Sequence, residues 1–168
     1  ETISSFTDNS TAALVAANLY ELTFESLLTL HPWRFASAKA TLSRLTATPI
    51  NEWSYAFQLP ADFLVAQHIN DAAEIYQIYG DKLYSDNTSL ILDYTYKPDE
   101  SFLPAYFAEL LEYKLASVFA IPITESATKG EYYASLAEKQ LTKSKSIDSQ
   151  MTPSSAPSGN SPLINFRS

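Results

Sequence analysis

Residue types on which catalytic and metal sites depend are scarce in this sequence. It has no cysteine, which excludes disulfides, thiolate metal ligands and cysteine nucleophiles. Its 3 glycines, Gly80, Gly130 and Gly159, lie far apart, so no glycine-rich loop is available to hold phosphates. Its 2 histidines, His31 and His68, lack the spacing of paired metal ligands, and there is no GxSxG motif. We therefore expect a protein that is not an enzyme and that uses no cofactor or metal.

Positive charge and long apolar runs are also scarce. The chain has 11 Lys and Arg against 19 Asp and Glu, a formal net charge of −8. Residues 1–123 hold 15 acidic and 6 basic side chains, so the body lacks the clustered cations that bind nucleic-acid phosphates. No apolar run approaches the roughly 20 residues of a membrane span, and the N-terminus lacks the pattern of a signal peptide. We expect a soluble protein with no membrane partner. The acidity of the body either only aids solubility or gives a surface that DNA slides past without sticking.

Apolar and aromatic side chains, by contrast, are plentiful enough to build one folded domain. Hydrophobic residues make up 46% of the 168 positions, and aromatic residues, with 11 Tyr and 9 Phe, make up 13%. A chain of this length can bury its own core, but it is too short for a second full domain. That much aromatic surface suits a core that contains β-structure, or an interface with another protein.

A long first helix is predicted at about 8–30. Asp8 or Ser10 can cap its start, and His31-Pro32 ends it, because the residue before a proline is disfavoured in helical geometry. Apolar residues recur through it at three- and four-residue spacing, which is typical of an amphipathic helix. These residues are Leu14, Val15, Leu19, Leu22, Phe24, Leu27 and Leu28.

Two further helices are predicted towards the C-terminus. The first covers about 102–121, and we expect it to end at Pro122. The second covers about 124–147, with Thr124 as its cap and with Gly130 weakening it.

Between the first and second helices the apolar period shortens to two, which predicts an antiparallel β region over about 33–97. Trp33 and Phe35 alternate with their neighbours, as strand residues do. We expect residues 33–45 and 52–59 to pair across a turn.

A second hairpin is predicted around Gly80, which can adopt the positive φ of a tight turn between residues 75–79 and 82–84. Residues 90–96 alternate cleanly and predict a half-buried strand. Residues 59–63 contain a proline, which cannot donate to a strand ladder, so we expect the chain to leave the sheet there.

These elements predict an α+β fold. Residues 1–148 are expected to form mainly a helical bundle, with one long N-terminal helix and two C-terminal helices, that carries an antiparallel β-sheet insertion. Residues 149–168 are rich in Ser and Pro, and we expect them to form a flexible C-terminal arm.

The end of this arm has a different composition. Three apolar side chains and one cation follow the polar spacer, in the run Leu163, Ile164, Asn165, Phe166 and Arg167. Such a cluster is either a frayed terminus or a segment that docks into a pocket. We favour docking.

Five tyrosines fall within the β region: Tyr76, Tyr79, Tyr84, Tyr94 and Tyr96. With few Lys or Arg nearby, stacking on bases is a poor explanation for them. We expect them to cover a sheet or to form an interface with another subunit. A platform that binds carbohydrate is the alternative.

Six strings follow one another along the chain: HPWRFA at 31–36, WSYAFQLPADFL at 53–64, YQIYGDKLYS at 76–85, LILDY at 90–94, FLPAYF at 102–107 and KLA at 114–116. In their order and spacing they resemble the head-to-tail connector (adaptor) family of tailed phages, in particular the tail tubular protein A type of short-tailed phages. The resemblance spans about residues 10–145.

This resemblance implies a structural protein of the virion that assembles in the host cytoplasm. It implies a homo-oligomeric ring of about twelve copies under the portal protein, which extends the DNA channel and gives the tail or nozzle protein a platform. It also implies that the arm residues 163–167 reach into the portal. Residues 1–148 would then be the adaptor domain.

Two alternatives stay open at this point. One is an independent module that binds carbohydrate or a cell surface through its tyrosine-rich sheet. The other is a small hydrolase, because a Ser-His-Asp triad built on His31 or His68 would meet only in the folded protein.

Overall fold

The structure is a computed structural model, and it describes residues 11–50, 52–69 and 75–151. Its helices and strands are α1 (Thr11–Thr29), β1 (Ser37–Thr41), β2 (Ser43–Arg44), β3 (Tyr55–Gln58), β4 (Phe63–Ile69), β5 (Gln77–Tyr79), β6 (Lys82–Ser85), β7 (Ile91–Tyr96), α2 (Ala105–Thr124) and α3 (Ala127–Gln150). The predicted α+β fold is confirmed. The proposed cap residues Asp8 and Ser10 and the arm residues 163–167 lie outside the described residues.

The helices enclose one hydrophobic core together with the bend that follows α1. Trp33 is fully buried there, with its ring edge-on to Phe107 at 5.1 Å between centroids. Its Nε1–H donates to the Leu27 carbonyl at 2.9 Å, so the one polar atom of the ring is also satisfied. None of the helices in the described ranges has the length and apolar character needed to cross a bilayer.

The strands form two antiparallel sheets, with the orders β1-β7-β4 and β2-β3-β6-β5. Leu42, between β1 and β2, donates its N–H to the Leu90 carbonyl at 2.9 Å, and the chain passes there from one sheet to the other. Both sheets contribute to a second core. Its buried residues are Leu42, Phe57, Leu59, Ile69, Leu83, Leu90, Leu92 and Tyr94.

The predicted hairpin at Gly80 is confirmed. Tyr79 lies opposite Lys82, and the loop between them holds only Gly80 and Asp81. Gly80 has φ +60°, which suits the first central position of a type II′ turn. The strand predicted at 90–96 is also confirmed, as β7.

The prediction for residues 33–45 is partly wrong. Trp33 is not in a strand, because Arg34–Ala36 form a single 3₁₀ turn that bends the chain from α1 into β1. The two-residue alternation of Trp33 and Phe35 arises because both rings pack towards the helical core from this bend. Of the predicted pairing with residues 52–59, only the short β2–β3 ladder exists, and β1 pairs with β7 instead.

Strand β4 was not predicted. Residues 59–62 do leave the sheet after β3, but the chain re-enters a strand at Phe63 and pairs with β7. This ladder has two register shifts, between Phe63 and Val65 and between Ala66 and His68. Such irregularities break the regular alternation by which a strand is recognised in a sequence.

The predicted helix boundary at Ile121-Pro122 is wrong. α2 continues through Pro122 to Thr124, and the helix ends at Glu125, which has φ 52° and donates its N–H to the Ile121 carbonyl at 3.0 Å. A proline removes one hydrogen bond to the preceding turn but leaves the following N–H groups free to bond. α3 starts after Ser126, whose hydroxyl caps it in place of Thr124, and it runs to Gln150, so the first residues assigned to the arm are helical.

Replacing Pro122 with alanine should raise the free energy of unfolding by about 1–3 kcal/mol, because alanine supplies an N–H towards the preceding turn and removes ring crowding. Pro122 is exposed, so little packing is lost. Urea unfolding followed by circular dichroism measures the change. Pro60→Ala, in the loop after β3, is the control. It should slightly lower the free energy of unfolding, because alanine gives the unfolded chain more conformational entropy than proline does. An unchanged or reduced stability of Pro122→Ala would contradict the expectation.

Candidate functional site

The five tyrosines predicted to mark an interface are divided between the two sheets. Tyr76 directly precedes β5, while Tyr79 and Tyr84 lie on β5 and β6 of the four-stranded sheet. Tyr94 and Tyr96 lie on β7 of the other sheet. Their division between two sheets does not give the single aromatic platform that the sequence suggested.

Tyr94 and Tyr79 illustrate the two environments. Tyr94 is buried in the sheet core, and its hydroxyl donates to Asp62 Oδ1 at 3.1 Å. Burial, followed by this hydrogen bond, raises the pKa of Tyr94. Tyr79 is 55% exposed, and its ring lies edge-on to that of Tyr84, 5.7 Å away. Tyr79 is therefore available to a partner, Tyr84 is half-buried beside it, and Tyr94 is part of the sheet core.

The outer face of α1 carries three exposed apolar side chains, Leu14, Val15 and Leu22. Leu14 is 58% exposed and Leu22 is 68% exposed. At 3.6 residues per turn the three lie within about 100° of one another around the helix. The opposite side of α1, with Phe24 and Leu27, fills the helical core. The predicted apolar stripe thus covers two sides of the helix, and the described residues bury only one of them.

A groove opens between α2 and α3, near the turn that joins them. It has a volume of about 590 Å³. Gly130 is buried beside it, where an added Cβ would lie 3.4 Å from the Ser117 carbonyl oxygen. The sequence suggested only that this glycine weakens α3, but it also lets the two helices approach closely. The groove is lined by Ala116, Phe119, Ala120, Thr128, Lys129, Tyr132 and Tyr133.

A buried carboxylate, Asp148, holds the C-terminal end of α3 against the rest of the bundle. Its side chain is fully buried and accepts from the Arg34 N–H at 3.1 and 3.2 Å and from the Tyr106 hydroxyl at 2.8 Å. His31 Nε2 lies 3.2 Å from its Oδ2. These contacts join the bend after α1, the first turn of α2 and the end of α3. They fix the C-terminal end of α3 relative to the rest of the bundle.

A polar seam continues from Asp148 along α3. Ser144 Oγ donates to the Tyr106 carbonyl at 2.8 Å, and Gln140 Nε2 donates to Glu109 Oε2 at 2.8 Å. Both side chains are buried, so the hydrogen bonds offset the loss of water. The seam therefore sets the register of α3 against α2.

The two histidines line one cleft of about 460 Å³ beside Arg34. His68 Nε2 lies 2.8 Å from Asp93 Oδ2, and Asp93 also pairs with Lys39 at 3.0 Å. Each imidazole thus contacts a carboxylate, His31 through Asp148 and His68 through Asp93. Within the ranges that the structure describes, no three His, Asp or Glu side chains are grouped to hold a metal ion. Hydrolysis at this cleft stays an untested alternative.

Sequence reasoning missed the groove, the buried carboxylate and the exposure of α1. One signal for the seam was present, since Gln140, Ser144 and Asp148 recur at four-residue spacing on one side of the last helix. The groove gave no comparable signal, because it exists only where two helices meet.

A comparison with known protein families and with curated proteins found no match to this chain. The surfaces that the fold exposes are therefore the structural basis for a functional proposal.

Replacing Tyr106 with phenylalanine removes one donor from the buried carboxylate of Asp148. We expect the free energy of unfolding at pH 7 to fall by about 1–3 kcal/mol, as for loss of a hydrogen bond to a charged group. Tyr132→Phe is the matched control, because that side chain is 61% exposed, and it should change stability little. Denaturant unfolding of both variants at pH 7 measures the difference.

The same variant should respond differently to alkali. Burial, followed by the hydrogen bond to Asp148 and its charge, raises the pKa of Tyr106 above the ordinary value of 10.0. The unfolded chain therefore releases this proton first, and the free energy of unfolding falls as pH rises above about 10. Tyr106→Phe should lose this part of the pH dependence. If the free energy of unfolding of Tyr106→Phe fell above about pH 10 as steeply as that of the unsubstituted protein, the expectation would be contradicted.

Proposed function

We propose that this chain is a structural adaptor at the head-to-tail junction of a tailed phage. Copies form a ring under the portal protein, extend the DNA channel and give a tail or nozzle protein its platform. The role is one of assembly in the host cytoplasm and residence in the virion, without catalysis. The ring of about twelve copies follows from the sequence resemblance.

The outer face of α1 is the observation that carries this proposal. Leu14, Val15 and Leu22 leave apolar surface in water although the other side of the same helix is fully packed. Single exposed apolar residues are ordinary, but a group on one helix face is typical of a surface that another protein covers. In a ring, each subunit can cover this face of its neighbour.

The charge of the body supports a channel role. Residues 1–123 contain 15 acidic and 6 basic side chains. Clustered cations would hold DNA phosphates and slow its passage, whereas an acidic lining does not bind them. DNA would therefore pass through the lumen without specific binding.

The C-terminal arm supplies the contact with the portal in this proposal. Leu163, Ile164 and Phe166 are buried against portal subunits, and Arg167 lies beside them. Asp148 fixes the end of α3, so every arm in a ring would leave its body from an equivalent point. Burial of the three apolar side chains offsets the entropy lost when the arm is ordered.

A carbohydrate-binding module is the second candidate. The observation in its favour is a cleft of about 460 Å³ whose lining includes Ile50, Tyr79, Lys82 and Tyr84. Exposed tyrosine rings of this kind can stack on sugars. Glycan binding that is lost in Tyr79→Ala would favour this function over the adaptor.

Deletion of residues 160–168 should reduce co-sedimentation of the protein with portal rings at least tenfold, because it removes the three apolar anchors. The control is the full-length chain with Ser154, Ser155 and Ser158 changed to alanine, and it should bind portal rings normally. Undiminished binding after the deletion would rule out the docking role of the arm.

A double substitution of Leu14 and Leu22 by serine should prevent closed rings on the portal in electron micrographs while leaving the fold intact. Both side chains are more than half exposed, so the cost to the free monomer is small. Asn18→Ser with Ser26→Ala, on the same helix, is the matched control. Normal rings from the double serine variant would contradict the adaptor proposal, because the exposed face of α1 would then have no role in ring formation.

A further inference from the structure

We propose that the groove between α2 and α3 is a docking site for the C-terminal end of the same chain, residues 163–167. The contact is intramolecular and requires no portal, so it goes beyond the adaptor role and stands or falls separately from it. It would keep three apolar side chains covered in the free protein.

The shape and chemistry of the groove fit an apolar peptide segment. Ala116 and Ala120 are small and leave depth between the helices, while Phe119, Tyr132 and Tyr133 add aromatic surface. A volume of about 590 Å³ accommodates a few apolar side chains. Leu163, Ile164 and Phe166 are the apolar cluster that the sequence places beyond the Ser- and Pro-rich spacer.

The length of the spacer allows this contact. Along α3, Tyr132 lies about 28 Å from Met151 at 1.5 Å per residue. The roughly 12 residues from Met151 to Leu163 can span at most about 40 Å. The apolar end can therefore reach the groove of its own subunit without displacing α3.

The tether also makes a weak contact effective. A short flexible link gives its end a local concentration on the order of millimolar, so a groove with only millimolar affinity for the free segment is substantially occupied. A second copy would have to reach a similar concentration to compete. This favours the C-terminal end of the same chain, and not that of a neighbouring copy, as the occupant of the groove.

Because the chain contains no cysteine, two introduced cysteines test the contact directly. Asn165→Cys is combined with Thr128→Cys in the groove or, as matched control, with Thr142→Cys, which is exposed further along α3. Thr142 lies only about 14 Å of helix from Met151, against about 35 Å for Thr128. An undocked arm would therefore favour Thr142, and a docked arm Thr128.

We expect the Thr128 pair to form its intramolecular disulfide at least fivefold faster than the Thr142 pair, in dilute protein under mild oxidation. Equal rates, or a faster Thr142 pair, would overturn the proposal. Disulfides that join two molecules would overturn it in favour of a neighbouring copy.

Two further variants connect the crosslink to the groove. Ala116→Trp fills the groove floor and should abolish the preference for Thr128, whereas Ala61→Trp, on the exposed turn between β3 and β4, should not. Leu163→Ser with Phe166→Ser removes the apolar anchors without changing the body, and it should also abolish the preference. Persistence of the preference in this last variant would contradict docking by the apolar cluster.

Discussion

The buried carboxylate of Asp148 is the interaction on which the arrangement of the helices depends. It receives the backbone N–H of Arg34 and the hydroxyl of Tyr106, and it contacts His31 Nε2. A carboxylate removed from water costs several kcal/mol unless its oxygens are hydrogen-bonded. The bend after α1 and the first turn of α2 provide these donors together. The end of α3 is therefore fixed relative to both, in addition to the non-directional packing around Trp33.

This constraint has consequences for the surfaces of the molecule. With α3 fixed at its C-terminal end by Asp148 and packed closely on α2 at Gly130, the groove between them has a defined shape. The same bundle buries only one side of α1, so Leu14 and Leu22 stay in water. A protein with one packed side and one apolar exposed side on a single helix is suited to assembly with other subunits. The adaptor proposal and the docking of the arm use different parts of this surface.

The sequence predicted features that depend on neighbouring residues. The end of α1 before His31-Pro32 and the hairpin at Gly80 follow from the backbone restrictions of proline and glycine. The alternation that predicts β7 extends over six residues of one strand. Predictions failed where a local rule was outweighed by its context. Pro122 did not end α2, and Trp33 and Phe35 alternate in a turn because both rings pack towards the helical core.

The α+β class, the acidic body and the apolar end of the arm were therefore determined by the sequence alone, since each depends on composition or on local periodicity. Tertiary structure decided which strands pair, which side of α1 is buried and which tyrosines remain available. β1 pairs with β7, 50 to 58 residues further along the chain, and Tyr94 on β7 thus lies in a different sheet from Tyr79 on β5. Such contacts depend on the balance of burial and hydrogen bonding over the whole chain. That balance cannot be predicted from any short stretch of sequence. The hydrogen bonds of Asp148 and the groove between α2 and α3 both depend on it.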